Sequence, residues 1–301
     1  MLKKLTFLIF TLMTAGIVYA ANDVPVDLDS GRPGEAMRVD DGTEFKVCAD
    51  PDLMPYSNSK QEGFENKIAA VLAADLGKKL TFQFWPDRMG FIRNTLGANR
   101  CDVIMGTTSD NDALRTSKPY YRAGHVFIYR KDSGYNITDW DSPDLRKGII
   151  GVDGQSPATI PLRDHNLLEN AHPYRMQRDL NLPPSYLIDD LVAGKSDIVI
   201  AWGPIGGYFA KHASIPLVVV PIPEYQDIDS KGKEYWNISI GVRKKDKDRM
   251  AMIQGALDRN MDKINKILDD YGVPHVPIVV GDKLEFKSKK ETRGDAIPKS
   301  E

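Results

Sequence analysis

The amino-acid sequence predicts an α/β fold in two lobes, each a mostly parallel sheet covered by helices, joined by two hinge crossings. Three observations predict it. Short apolar runs alternate with amphipathic helical stretches, the order that builds parallel sheets. The same grammar occurs twice along the chain. A late strand and a long helix then resume the first unit.

In the first unit "EFKVCA" (44–49) reads as a strand. "GFENKIAAVLAADLGKK" (63–79) reads as a helix, because Ile68, Val71, Leu72 and Leu76 recur at helical spacing and Gly77 can stop it. "LTFQFW" (80–85) alternates as a strand does, "GFIRNTLGAN" suggests a helix, and "CDVIMG" (101–106) and "HVFIYR" (125–130) are buried strands. In the second unit "KGIIGV" is a strand, and "PPSYLIDDLVAGK" is a helix opened by prolines and closed at Gly194. "SDIVIAW" (196–202) is a strand, "PIGGYFAKHA" a short helix and "PLVVVP" (216–221) a strand. "NISIGVR" (237–243) follows, then a helix with Ile253, Leu257, Ile264, Ile267, Leu268 and Tyr271 on one stripe, ended by Gly272 and Pro274. Lobe 1 is thus expected over 44–129 plus 236–284 and lobe 2 over 130–235. Ligands of open α/β sheets sit outside the carboxyl ends of the strands, here the cleft between lobes.

The 301 residues are 42% hydrophobic, enough for a sizeable core, and the formal charge of −2 gives no pull toward nucleic acid. The N-terminus has the form of a cleaved secretory signal over 1–20: Lys3 and Lys4, an apolar stretch from Leu5 to Val18, then Val18-Tyr19-Ala20. That stretch is too short to span a membrane, and no later segment approaches a span, so the mature chain is expected in the periplasm. Residues 21–43 read as a low-order leader and 285–301 as a loose charged tail. Two cysteines, Cys48 and Cys101, are expected to bridge in an oxidising compartment. If their strands run parallel, the offset between them works against the bond. The five histidines are scattered without metal spacing, and no metal site is expected. No nucleophile motif, P-loop or dinucleotide fingerprint occurs, so no catalytic residues are assigned.

Candidate cleft residues follow from the strand ends. Asp50, Tyr56, Ser57 and Asn58 follow the first strand, with turn chemistry around Pro51 and Pro55 as the competing reading. Trp85, Arg88, Phe91 and Arg93 form a dense aromatic and basic group of the kind that anchors interfaces; local packing is the alternative. Thr107, Ser109 and Arg122 lie near the third strand's exit, and Arg122 faces either the cleft or the hinge. Trp202, Tyr208 and Tyr121 offer an aromatic wall, and Asn237 reaches from the return crossing. Glu65 and Asn66 stand at a helix start, where Glu65 is read as a cap. In "GVDGQSPAT" (151–159) Gln155, Ser156 and Thr159 offer donors to an anion, but Asp153 lies in the same loop and Pro157 favours a plain strand-to-helix turn.

Several spaced motifs carry a resemblance: "VCADPDLMPYSN" (47–58), "EGFENKIAAVLAADLG" (62–77), "WPDRMGFIRNTL" (85–96), "TSKPYYRAGHVFIYR" (116–130), "DIVIAWGPIGGYFA" (197–210), "IGVRKKD" (240–246) and "ILDDYGVP" (267–274). Over roughly 44–275 the chain resembles the type 2 periplasmic solute-binding proteins, in the MxaJ/XoxJ-like subgroup associated with quinoprotein methanol dehydrogenases. The resemblance implies a two-lobed receptor fold and a non-catalytic accessory role to that enzyme. Pyrroloquinoline quinone and its calcium or lanthanide ion would belong to the enzyme, with no cofactor on this chain. Amino-acid receptors of this fold place an arginine about nine residues before the Pro-Tyr pair and an acid after the second lobe's "DxV" strand. Here those positions are Asp110 and Trp202, and Arg115 falls on the strand side. Both charged grips for a zwitterion are therefore lost. The remaining alternatives are a transporter receptor for an uncharged or cationic small ligand, and a dehydratase-like enzyme in which Glu65 would be the acid.

Overall fold

The computed structural model describes residues 41–87, 89–154, 156–174, 182–223 and 235–279. The expected signal (1–20), most of the low-order leader (21–43), the charged tail, Arg88 and Gln155 lie outside the described residues.

Strand β1 (Glu44–Ala49) is followed by a small hairpin, β2 (Asp52–Leu53) and β3 (Ser57–Asn58). Helix α1 (Phe64–Asp75) buries Phe64, Ile68, Ala69, Leu72 and Ala73 on one stripe and ends before Gly77, which takes the left-handed φ of +61°. Strand β4 (Lys79–Phe84), helix α2 (Phe91–Asn94), β5 (Val103–Thr108) and the two-residue β6 (Arg115–Thr116) complete the first stretch. The long β7 (Tyr121–Arg130) leads into β8 (Ile150–Asp153), α3 (Thr159–Asp164), β9 (Ala171–Tyr174), α4 (Tyr186–Val192), β10 (Ile198–Trp202), α5 (Gly203–Lys211) and β11 (Leu217–Pro221). The chain returns through β12 (Tyr235–Val242) to the long α6 (Lys247–Asp270). That last helix buries Ile253, Leu257, Ile264 and Leu268 and lies on α1, where Asn260 Nδ2 donates to Asp75 Oδ1 at 2.9 Å.

The strands run in the order β4-β1-β5-β12-β7-β10-β8-β9, with β6 beside β12 and β11 beside β7. The outer ladders of each lobe are parallel, β1 with β4 and β5, β8 with β9 and β10, while β5 and β6 pair antiparallel with β12 and β11 with β7. Antiparallel strands join the lobes. Along β7, Tyr121–Gly124 pair with Ile238–Tyr235 of β12, and His125–Tyr129 pair with Trp202–Ile198 of β10. One strand thus serves both lobes. Alternation along it feeds two cores: Phe127 and Tyr129 join Ile150, Val152 and Leu162, while Val126 and Ile128 join Leu187, Leu191 and Val199. In the first lobe Phe64, Leu72, Val103, Ile240 and Leu257 form the largest core.

Two expectations change in detail, and the expected disulfide forms despite the offset weighed against it. The helix expected over "GFIRNTLGAN" stops after four residues, because Thr95 turns its hydroxyl onto Phe91 O at 2.7 Å and leaves helical geometry. Strand β9 and the hairpin β2–β3 were not expected. Cys48 and Cys101 are bridged, with Cα atoms 5.5 Å apart, although β1 and β5 are parallel. Cys101 precedes β5 and lies in a cluster with Cys48, Phe91, Leu96 and Ile104 on one face of the sheet, so the in-plane offset does not apply.

Candidate functional site

A cavity of about 360 Å³ opens between the lobes. Its floor and one side come from the carboxyl end of β1, the hairpin, the start of α1 and the end of β5; Trp202 and Ile205 close it from the other lobe. Apolar side chains, Leu53, Phe91, Ile104, Ile205 and Ile238, make much of the wall.

Glu65 occupies the second position of α1, but it does not cap the helix, contrary to the sequence reading. Asn66 does, its Oδ1 accepting from Gly63 N at 3.1 Å and Asn58 N at 3.2 Å. The Glu65 carboxyl turns instead into the cavity, over Gly106 of β5, where a Cβ would stand 2.1 Å from Oε1. Among the described residues its side chain has no hydrogen-bond or ion-pair partner. Burial, and then the charge of Asp87 at the mouth, push its pKa up to about 8. The same burial raises the hydroxyls of Tyr56, Tyr120 and Tyr121 around it, helped by the Glu65 charge.

Asp50 also lines the cavity, but its carboxylate serves the backbone: Oδ1 accepts from Asp52 N at 2.8 Å and Oδ2 from Asp87 N at 2.6 Å. Ser57 ties the hairpin down, donating Oγ–H to Asp50 O at 2.8 Å. These are turn contacts that shape the rim.

Across the cleft, Trp202 Nε1–H donates to Tyr56 Oη at 2.5 Å. The indole also packs edge-on to His125 and Trp236, with ring centroids 5.6 and 5.4 Å away, so β7, β10 and β12 meet in one aromatic cluster. Burial holds the His125 pKa down to about 4, which keeps the ring neutral.

The turn after β8 is structural rather than an open anion seat. Asp153 is buried and accepts the hydroxyl of Tyr186, an acid where an anion would need donors. Its pKa is raised by burial. Ser156 Oγ is buried there without a partner among the described residues, but it does not line the cavity between the lobes.

Of the residues singled out from the sequence, Asp50, Tyr56, Ser57, Thr107, Tyr121, Phe91 and Trp202 line the cavity. Glu65 does as well; the others are elsewhere. Asn58 ties the hairpin to Glu62. Trp85 lies under Arg100, whose guanidinium carbon is 5.1 Å from the ring centroid. Arg93 is exposed on α2. Ser109 bonds Ser239 and Asn237 O between strands. Arg122 is buried at the hinge against the ring of Tyr235, 5.3 Å from its centroid. Tyr208 stacks on Tyr271 at the end of α6, at 5.8 Å. Asn237 Nδ2 donates to Val279 O, away from the cleft. Asp110 is exposed, and Arg115 Nε bonds Lys244 O. No basic side chain lines the cavity among the described residues. Nor do three His, Cys, Asp or Glu side chains converge as a metal site among them. Sequence reasoning favoured Glu65 as a cap, with a dehydratase-like acid as the alternative, and passed over Asp87 and Gly106 as site residues.

A family model for bacterial extracellular solute-binding proteins, family 3, matches residues 45–274. Protein MoxJ of Methylorubrum extorquens is 30% identical over 263 residues, 83% of this chain and 87% of that protein. Among solved structures, MxaJ from Methlophaga aminisulfidivorans MPT superposes with a TM-score of 0.69 at 33% identity, over 77% of this chain and 100% of that one. The periplasmic binding protein XoxJ from Methylobacterium extorquens AM1 gives 0.65 at 31% identity, over 78% of this chain and 100% of that one. The chain therefore belongs to the bacterial extracellular solute-binding proteins of family 3, with the type 2 periplasmic-binding-protein fold, in the MxaJ- and XoxJ-like group.

Proposed function

We propose that this chain is a non-catalytic periplasmic accessory protein, exported by the signal at residues 1–20, that binds a quinoprotein methanol dehydrogenase. In this reading it assists maturation, activation or stabilisation of the enzyme, which itself holds pyrroloquinoline quinone and a calcium or lanthanide ion. The likeness to MoxJ, MxaJ and XoxJ supports the assignment. The observation that carries it is the cleft: no basic side chain lines it among the described residues, and the Trp202 indole closes it from the second lobe, bonded to Tyr56. A zwitterion's carboxylate would be buried there unpaired. The bridged Cys48 and Cys101 fit an oxidising compartment. Mature protein mixed with the holo-dehydrogenase at micromolar concentration will co-elute on sizing and give heat on calorimetry; separate elution and no heat overturn the reading.

One observation favours a second reading, a transporter receptor for an uncharged or cationic small ligand. The cavity volume of about 360 Å³ falls at the lower end of small-ligand pockets. Stabilisation by one small molecule, with no effect from the dehydrogenase, would select it.

A further inference from the structure

We propose that the cavity between the lobes is a site for a single organic cation: an ammonium or guanidinium head on a short apolar stem, bearing no carboxylate. The inference rests on reading the cleft as a binding site. The head can arrive on a free amine or on a lysine or arginine of the partner enzyme.

The unpartnered carboxyl of Glu65 carries the inference. Glu65 is half-buried, and its carboxyl faces the cavity with no hydrogen-bond or ion-pair partner among the described residues and no base in the wall to neutralise it. Glu65 opens onto the cavity and Gly106 leaves its Oε1 room that a Cβ would take. The rings of Tyr56, Tyr121, Phe91 and Trp202 stand around the same space. Aromatic faces beside a carboxyl, with no base in the wall among the described residues, attract a cation and repel an anion. Leu53, Ile104, Ile205 and Ile238 suit an apolar stem. The volume of about 360 Å³ admits one such group and excludes a folded peptide loop. Because Glu65 holds its proton up to about pH 8, a cation that ionises it must release that proton, so affinity must rise with pH.

The test titrates the mature protein with n-butylammonium and n-butylguanidinium chloride, with n-butanol as the uncharged control, by calorimetry near pH 6.5 and near pH 8.5. One or both cations will bind the wild type ~20-fold more tightly at the higher pH, with release of a proton. Glu65→Gln will bind them at least ~10-fold more weakly at pH 8.5, with its fold checked by circular dichroism. The pH dependence needs no variant and stands if that variant misfolds. No binding of either cation up to about 10 mM overturns the proposal. So does equal binding by Glu65→Gln or by n-butanol. Sizing with the dehydrogenase under saturating n-butylguanidinium then identifies the source. Loss of the complex assigns the head to a side chain of the enzyme, and survival of the complex assigns it to a free amine. If no complex forms even without the cation, the accessory reading fails while the titration still decides the cation site.

Discussion

Replacing Glu65 by glutamine will stabilise the protein at neutral and alkaline pH and change little in acid. Burial and Asp87 raise this carboxyl from its ordinary value of 4.5 to about 8. A folded value above the unfolded one means that the fold favours the proton. The stability that Glu65 contributes is therefore whole below about pH 4.5 and is lost as pH rises through 8. Each pKa unit is worth about 1.4 kcal/mol, so the gap of 3.5 units sets a ceiling of about 5 kcal/mol above pH 8. The carboxyl borders a cavity of about 360 Å³ that can hold water, and screening there brings the expected effect to about 2–3 kcal/mol. Glutamine keeps the shape and does not titrate. Urea unfolding followed from pH 4 to pH 9 measures the difference. The two proteins should be alike in acid, and the variant should gain progressively until about pH 8. A difference that does not change with pH, or a variant less stable than wild type at pH 8, would refute the reasoning, because the carboxylate would then have a stabilising partner.

Gly106→Ala tests the same geometry from the other strand. Its Cβ would fall 2.1 Å from Glu65 Oε1, so the carboxyl must move toward solvent and the pH-dependent loss of stability above 4.5 should shrink by at least half. His125 gives the opposite limb. Its folded value of about 4 lies below the ordinary 6.5, so its contribution is whole above pH 6.5 and falls by about 3 kcal/mol as pH drops toward 4. His125→Phe should remove that limb in the same unfolding series. Reducing the Cys48–Cys101 bridge, which closes a sequence separation of 53, should cost about 4 kcal/mol, read as a shift in urea midpoint between the native protein and the double alanine variant. Trp202→Phe removes the donor to Tyr56 and should lower stability by about 1 kcal/mol beyond the loss of packing, measured against Tyr56→Phe in a double-mutant cycle.

Much of the architecture was legible because periodicity is local. The stripes of α1 and α6 and the apolar runs of β1, β10 and β11 predict those elements within a few residues. Helix α2 was over-read because the turn of Thr95 onto Phe91 O competes with propensity at one residue. Strand β9, "AHPY", has no alternation to find and exists through its pairing with β8. The site was less legible. Asp50, Tyr56, Ser57, Thr107 and Trp202 follow from the rule that strand ends face the cleft. Glu65 was read as a cap because an acid in a first turn usually is one; its direction depends on the absence of a side chain at Gly106, on another strand. Tyr208 and Asn237 were placed in the cleft because their partners, Tyr271 and Val279, lie far along the chain. The expected loss of a grip for a zwitterion was argued from Asp110 and Trp202; Trp202 lines the cavity, Asp110 does not, and no base lines it among the described residues.

Strand β7 is bonded on both flanks along two stretches. Arg122 lies between Asn237 and Val276, and Val126–Tyr129 lie between β10 and β11. Nearby, α5 rests on the chain after α6 so closely that a methyl at Gly207 would meet Gly272 O at 2.2 Å. Between those two stretches of β7, Ala123 and Gly124 are laddered on one flank, to β12. A relative turn of the halves meets least resistance at that short interval, where the strand passes from one set of neighbours to the other.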